Sequence, residues 1–137
     1  MQVRGRSVQK QSGGFASAGY PPGTVGDYID DVPAGAVVVL DNAGRDDATV
    51  WGDILTDIAH RRGIAGTVID GICRDVALSL SLQYPIYSKG SWMRTGKDRV
   101  QVEATQVPVT IGKARVLGAE ATFDGLAERS GDQGRVA

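Results

Sequence analysis

The sequence has too little of several residue types to support some common classes of protein. A single cysteine, Cys73, cannot form an internal disulfide, so a reducing compartment is expected. A single histidine, His60, excludes a histidine-rich metal site. No apolar run reaches the roughly 18 residues that a membrane span needs, and the N-terminus lacks the apolar stretch of a secretory signal. These absences predict a cytoplasmic protein without a membrane segment.

Neither sign of charge is in excess. Fifteen Lys and Arg against sixteen Asp and Glu give a net charge of −1, which argues against binding to nucleic acid or to an anionic membrane. Apolar residues make up 42% of the 137 residues, enough for one domain with a modest core. The 19 glycines follow no fixed period and therefore predict many tight turns. We expect a single globular domain over residues 1–137.

Residues 36–87 carry the clearest pattern of secondary structure. Ala36–Leu40 and Ala65–Ile69 are runs typical of strands buried on both faces, and Pro85–Tyr87 is a shorter candidate strand. Between the first two, an apolar stripe at helical spacing predicts a helix capped by Asp46 or Asp47. A second helix is predicted over about residues 74–82. The order β-α-β-α-β predicts an α/β fold with parallel strands and right-handed crossovers.

The flanking segments are less regular. Val3–Val8 alternates like a strand, a stretch rich in Gly, Ser and Pro follows, and residues 27–31 fit one helical turn. After Gly90, runs at 99–103, 107–111 and 114–117 predict an antiparallel meander with a turn at Gly112-Lys113. Residues 118–137 lose this periodicity and are expected to form a divergent, frayed tail.

Charged residues follow the predicted strands, at the sheet edge where ligands of parallel sheets bind. Backbone N–H groups early in the first helix, at Gly52–Leu55, can hold a carboxylate. Arg74 can grip a carboxylate or oxo group, and Asp75 can bind a hard cation. Alternatively, these charges only stabilise helix ends and form a surface ion pair. The full set at this edge is Asp41, Asp46, Asp47, Asp53, Asp70, Arg74 and Asp75.

The spacing of these residues resembles a known family. Gly52-Asp53, the twenty residues 54–73 and Arg74-Asp75 match the D-x20-R-D signature of the RraA-like proteins. That family includes the class II 4-hydroxy-4-methyl-2-oxoglutarate / 4-carboxy-4-hydroxy-2-oxoadipate aldolases. The resemblance covers roughly residues 30–117 and implies a swivelling β/β/α domain with a parallel β-α-β-α-β core. It also implies a chain shortened at both ends, with residues 1–26 a partial N-terminal strand and loop.

The resemblance implies a role for each residue of the signature. Asp75 is similar to the direct ligand of Mg²⁺ or Mn²⁺, and Arg74 to the arginine that binds substrate and stabilises the pyruvate enolate. The backbone of Gly52, Asp53, Ile54 and Leu55 resembles the loop that holds the pyruvyl carboxylate. Asp53 resembles the carboxylate that orders metal-bound water. The implied reaction cleaves 4-hydroxy-2-oxo diacids to pyruvate and a second 2-oxo acid, with oxaloacetate decarboxylation as a side activity.

The resemblance also implies partners and leaves alternatives open. Family members form homotrimers, often paired into hexamers, with a site shared between subunits. Some proteins with this fold are instead non-catalytic regulators that bind ribonuclease E, and a third hypothesis is an inactive fragment that keeps only the fold. Of the remaining candidates, we interpret Cys73 and Trp51 as packing residues and His60 as a solvated residue at a helix end. The loop around Trp92 either closes over a ligand or is an ordinary connection.

Overall fold

The protein folds around a mixed sheet of parallel and antiparallel strands. A computed structural model describes residues 1–7, 26–97 and 99–117 of the chain. The predicted loop at residues 12–23, the end of the first predicted strand and the predicted tail at 118–137 lie outside the described residues. The elements are β1 (Gln2–Ser7), a 3-10 turn (Asp27–Asp31), β2 (Val37–Thr49), α1 (Asp53–Arg61), β3 (Gly66–Cys73), α2 (Val76–Leu82), β4 (Ile86–Tyr87), β5 (Gly90–Ser91), β6 (Val100–Thr105), β7 (Val109–Ile111) and β8 (Ala114–Val116).

The strands of the main sheet lie in the order β4-β3-β2-β1-β6, and β5 pairs with β3 beyond the end of β4. All pairings among β1 to β5 are parallel, whereas β6 runs antiparallel to β1. Strands β7 and β8 form a separate antiparallel hairpin. The predicted α/β class and the parallel β-α-β-α-β core are therefore confirmed. Within the described residues, no helix is long and apolar enough to cross a membrane.

The sheet is buried on both faces because its central strands are apolar at successive positions. In β2, Val38 and Leu40 belong to the core beneath the helices, whereas Val37 and Val39 belong to the core beneath the β7–β8 hairpin. Successive side chains of a strand point to opposite faces, so this uninterrupted run supplies both layers. All eight residues of β3 are buried as well.

Two predicted boundaries and one pairing are wrong. Strand β2 does not end at Leu40 but continues to Thr49 through an irregular region, where Ala43 and Gly44 have left-handed backbone angles. The first helix consequently begins at Asp53, and neither Asp46 nor Asp47 caps it. The predicted meander is wrong at its first strand, since β6 pairs with β1, although the turn at Gly112 does join β7 and β8.

Candidate functional site

The two halves of the D-x20-R-D spacing meet where β2 and β3 end side by side. The two strands are parallel neighbours, so their carboxyl ends lie at one edge of the sheet. Just beyond that edge, the backbone N–H of Arg74 donates to the carbonyl oxygen of Trp51 at 2.9 Å. This bond places Gly52, the residue after Trp51, directly beside Arg74 and Asp75.

Gly52 is the point of closest approach between these segments. A Cβ atom placed on Gly52 would lie 3.2 Å from Arg74 Nε, 3.3 Å from Arg74 Cγ and 3.3 Å from Asp75 Oδ2. The side chains of Arg74 and Asp75 therefore lie over the Gly52 backbone, in space that any larger residue would occupy. Glycine permits this close approach, and its backbone angles are extended ones that other residues adopt.

Arg74 and Asp75 form a close pair in front of Gly52. Arg74 Nε lies 3.1 Å from Asp75 Oδ2, and both side chains are partly exposed. Asp75 has a left-handed backbone conformation, with φ of 55° and ψ of 45°, which is uncommon for a residue other than glycine. Such conformations concentrate at functional sites, where the surrounding structure maintains them. Here the conformation accompanies an Asp75 carboxylate folded onto the guanidinium.

Asp53 opens α1 with an exposed carboxylate. Its Oδ1 accepts a hydrogen bond from the backbone N–H of Ile54 at 2.8 Å, and Gly52 is the N-cap residue. The first N–H groups of a helix have no partner within the helix and attract anions. The Asp53 carboxylate already accepts from one of these groups, the Ile54 N–H. A substrate carboxylate that bound to this N–H would therefore displace the Asp53 side chain.

A cavity of about 400 Å³ adjoins these residues. Arg74, Gly52 and Asp53 border it on one side, and the 3-10 turn with Ile29 borders it on another. The sequence patterns gave no indication of several further lining residues, because only the tertiary fold brings them to this place. These are Gly26, Asp27, Ile29, Asp30, Thr49, Ile58, Thr95 and Gly96.

The cavity matches the predicted site in part. Gly52, Asp53, Ile54, Leu55 and Arg74 all line it. Asp75 is not among the lining residues but contacts Arg74 at the cavity's border. Trp92 does not line the cavity, although Thr95 and Gly96 from the same connection do.

The other acidic residues at the predicted sheet edge make contacts elsewhere in the fold. Asp41 and Asp70 are register partners within β2 and β3, and both face the β7–β8 hairpin. Asp41 Oδ2 accepts from the Thr110 N–H and Asp70 Oδ2 from the Gly112 N–H, each at 3.3 Å. Asp70 Oδ1 also pairs with Lys89 Nζ at 2.7 Å. These two aspartates attach the hairpin to the sheet.

Asp46 and Asp47 lie exposed in the second half of β2. A two-point hydrogen bond from Arg45 lowers the pKa of the Asp47 carboxyl below its usual value. The seven charged residues predicted at this edge therefore lie in separate groups, and only Asp53, Arg74 and Asp75 adjoin Gly52. The charged residues are separated because β2 continues past Asp41 instead of ending in a turn there.

The donor set near Asp75 suits a cation that keeps most of its water. In the residues that the structure describes, no three His, Cys, Asp or Glu side chains are grouped to hold a metal. Mg²⁺ is commonly bound through one or two carboxylates with water in the remaining positions. The partly exposed Asp75 carboxylate fits that requirement. The described residues do not offer a full set of protein ligands that would enclose a cation by themselves.

One family model covers most of the chain. The model of the RraA-like family (Aldolase/RraA) matches residues 10–120. Protein DlpA of Legionella pneumophila is 43% identical over 96 residues, which are 70% of this chain and 16% of DlpA. A protein of Halalkalibacterium halodurans, provisionally named 4-hydroxy-4-methyl-2-oxoglutarate aldolase, is 33% identical over 78 residues, which are 57% of this chain and 37% of that protein. The chain thus spans well under half of either relative.

Solved structures show the same fold. An uncharacterised protein of Pseudomonas syringae has a TM-score of 0.70 and 38% identity, covering 85% of this chain and 50% of its own. Streptomyces coelicolor RraAS2, described as an unusual member of the RNase ES inhibitor RraA family, has a TM-score of 0.70 at 23% identity, covering 87% of this chain and 55% of its own. The second likeness supports the fold alone.

Proposed function

The chain belongs to the RraA-like family, and from that premise we propose that it is a metal-dependent aldolase of the class II type. The proposed reaction cleaves 4-hydroxy-2-oxo diacids to pyruvate and a second 2-oxo acid. Oxaloacetate decarboxylation is a proposed side activity, because it passes through the same pyruvate enolate. One observation carries the proposal: Arg74 and Asp75 lie against the Gly52 backbone at the border of the cavity.

The residues at this border suit the charges that develop during cleavage. When the C3–C4 bond of the substrate breaks, the 4-hydroxyl loses its proton and the electron pair passes to the pyruvyl part as an enolate. Protonation at C3 then gives pyruvate. Arg74 is the one cationic side chain among the described lining residues, and its terminal nitrogens carry donors beyond the Nε–H directed at Asp75. We assign it to the 2-oxo acid, where it stabilises the enolate oxygen.

The start of α1 provides the complementary contact. We assign the substrate carboxylate to the first N–H groups of the helix, which border the same cavity as Arg74. Asp53 lies at this helix start with an exposed carboxylate, suited to ordering the water that carries a proton. Asp75 would hold a divalent cation, which when bound would supply Lewis-acid stabilisation of the enolate charge.

Pyruvate release tests the proposal. The chain, with Mg²⁺ or Mn²⁺ at saturation, is incubated with 4-hydroxy-4-methyl-2-oxoglutarate, with 4-carboxy-4-hydroxy-2-oxoadipate and with oxaloacetate, and pyruvate is measured through lactate dehydrogenase. We expect release that a chelator stops. Absence of release from every substrate at every cation concentration would overturn the proposal.

Assembly is part of the same proposal. We propose a homotrimer or a pair of trimers, which would bring an acidic group from a neighbouring subunit to the partly exposed Asp75. Light scattering on the purified chain measures this directly, and a monomer with full activity would contradict it. The hypothesis of a ribonuclease E regulator is supported by the likeness to RraAS2 in fold only.

A further inference from the structure

A buried hydrogen-bond relay ends at the backbone of Gly52. The indole Nε1 of Trp51 donates to Thr56 Oγ1 at 2.9 Å, and Thr56 Oγ1 donates to the carbonyl oxygen of Gly52 at 2.9 Å. The backbone N–H of Thr56 donates to the same oxygen at 3.0 Å. Trp51 and Thr56 are both almost completely buried, so water is excluded from the bond between them.

The relay has a fixed direction. A threonine hydroxyl has a single proton and can also accept, whereas an indole N–H can only donate. Because Trp51 donates to the hydroxyl of Thr56, the hydroxyl proton is left for Gly52. Hydrogen bonds linked in this way strengthen one another in a buried setting. The relay therefore holds the Gly52 carbonyl in one orientation.

The rest of the core holds the relay in turn. The Trp51 ring stacks on the ring of Tyr84, with centroids 6.2 Å apart and planes within 3°. The Tyr84 hydroxyl shares a hydrogen bond of 2.9 Å with Thr67 Oγ1 in β3. Burial raises the pKa of Tyr84 to about 12, so this phenol stays neutral at ordinary pH. The sheet is thereby connected, through two aromatic rings, to the start of α1.

The Gly52 carbonyl and the Asp53 N–H belong to one planar trans peptide and point in opposite directions. Fixing the carbonyl towards Thr56, along the helix, therefore fixes the Asp53 N–H towards the start of the helix, where Gly52 and Asp53 line the cavity. We propose that Thr56, supported by Trp51, is a positioning residue that aims the Asp53 N–H at the carboxylate of a bound 2-oxo acid. This inference rests on the proposed function of the site, but the orientation of the peptide can be measured without it.

The test compares three variants of the full chain. Thr56→Val removes the hydroxyl and preserves the shape, Thr56→Ser restores the hydroxyl, and Ser79→Ala is the matched control. Ser79 is also buried and donates from its hydroxyl to a helix carbonyl, that of Val76 at 2.7 Å, but in α2. Thermal unfolding establishes that each variant is folded at the temperature of the measurements.

Two readouts separate the outcomes. The first is the amide resonance of Asp53, which we expect to shift in Thr56→Val and to stay near its wild-type position in Thr56→Ser and Ser79→Ala. The second is pyruvate binding in the presence of Mn²⁺, measured by calorimetry. We expect binding about fivefold weaker in Thr56→Val, the loss of one ordinary hydrogen bond, and unchanged in the other two.

The inference is overturned if the Asp53 resonance is the same in Thr56→Val as in wild type, or if Thr56→Ser or Ser79→Ala shifts it equally. A shifted resonance with unaltered pyruvate affinity would remove the role in binding. Failure of the proposed function has a different signature. In that case wild type binds no pyruvate, while the Asp53 resonance still reports whether Thr56 orients the peptide.

Discussion

Arg74 donates its backbone N–H to the carbonyl of Trp51, and this single bond joins the two segments of the candidate site. Residues more than twenty positions apart become neighbours because each lies just beyond the end of one of two adjacent parallel strands. Gly52 then allows the Arg74 side chain to lie against the main chain. The site is thus a product of strand order, with glycine setting the distance between its two halves.

Substitution of Gly52 tests the close approach. We expect Gly52→Ala to fold but to lower kcat/KM for pyruvate release by about 10- to 100-fold, because the new methyl group displaces Arg74 and small misplacements at a reacting centre are costly. Gly90→Ala is the control, since a Cβ there meets nothing closer than Ile72 Cγ2 at 3.9 Å. Equal activity in the two variants would show that Arg74 need not lie against residue 52.

Asp75→Asn tests the cation. Asparagine accepts left-handed backbone angles as aspartate does, so stability should change little while the charge is lost. We expect calorimetry to show Mn²⁺ binding at least about tenfold weaker, with the cation dependence of pyruvate release shifted in parallel. Asp57→Asn, which removes only a surface pair with Arg61 at 3.0 Å, should leave both unaltered. Unchanged Mn²⁺ affinity in Asp75→Asn would exclude it as the ligand.

Asp70 tests the attachment of the hairpin. Asp70→Ala removes the acceptor of the Gly112 N–H and the partner of Lys89, so we expect the free energy of unfolding to fall by about 1–3 kcal/mol. Urea denaturation measures this, with the exposed Asp46→Ala as the control, expected within about 0.5 kcal/mol of wild type. If the two variants were equally stable, Asp70 would contribute nothing to holding the hairpin.

Alkaline pH tests the buried tyrosines. Burial raises the pKa of Tyr84 to about 12 and that of Tyr28 further, so both phenols retain their protons longer in the folded state than in the unfolded state. Stability is then complete below the ordinary value near 10 and falls as the pH rises above it, by up to about 1.4 kcal/mol per pH unit for each group. Tyr84→Phe should reduce this slope in urea denaturation between pH 9 and pH 11. An unchanged slope would contradict the assignment.

The sequence patterns predict the elements that local periodicity determines. The β-branched run before Asp41 becomes β2, the apolar run before Asp70 becomes β3, and the helices follow each strand. The run Asp41-Asn42-Ala43-Gly44 is typical of a turn, and Ala43 and Gly44 do have left-handed angles. What the local sequence cannot show is that β2 resumes pairing with β3 at Arg45 and Thr49.

This renewed pairing of β2 with β3 explains why the first helix begins later than predicted. Val50 and Trp51 fit a helical stripe, but their backbone groups bond to Ile72 and Arg74 at the end of β3. The buried face of the helix therefore differs from the predicted apolar stripe, and Ile54, which belongs to that stripe, is 69% exposed. Cys73 and Trp51 are buried and His60 is exposed in the last turn of α1, in agreement with their interpretation as packing and solvated residues.

The candidate site, like the fold, is predicted from the sequence only where the local pattern determines it. The D-x20-R-D spacing identifies Asp53, Arg74 and Asp75, and the structure brings their segments together. The wall of the cavity formed by the 3-10 turn and by Thr95-Gly96 depends on contacts between distant parts of the chain, for which the local sequence carries no signal. The local sequence also carries no signal for the role of the Thr56 hydroxyl, because that role depends on the position of the Trp51 indole.

The most direct test of the central claim is the rate of pyruvate release by wild type and by Arg74→Ala, at saturating Mg²⁺ or Mn²⁺, with Arg115→Ala as an exposed control in β8. We predict that Arg74→Ala lowers kcat by roughly 10²- to 10³-fold, since its contact strengthens as charge develops in the transition state. Arg115→Ala should match wild type. Near-normal turnover in Arg74→Ala would contradict the account.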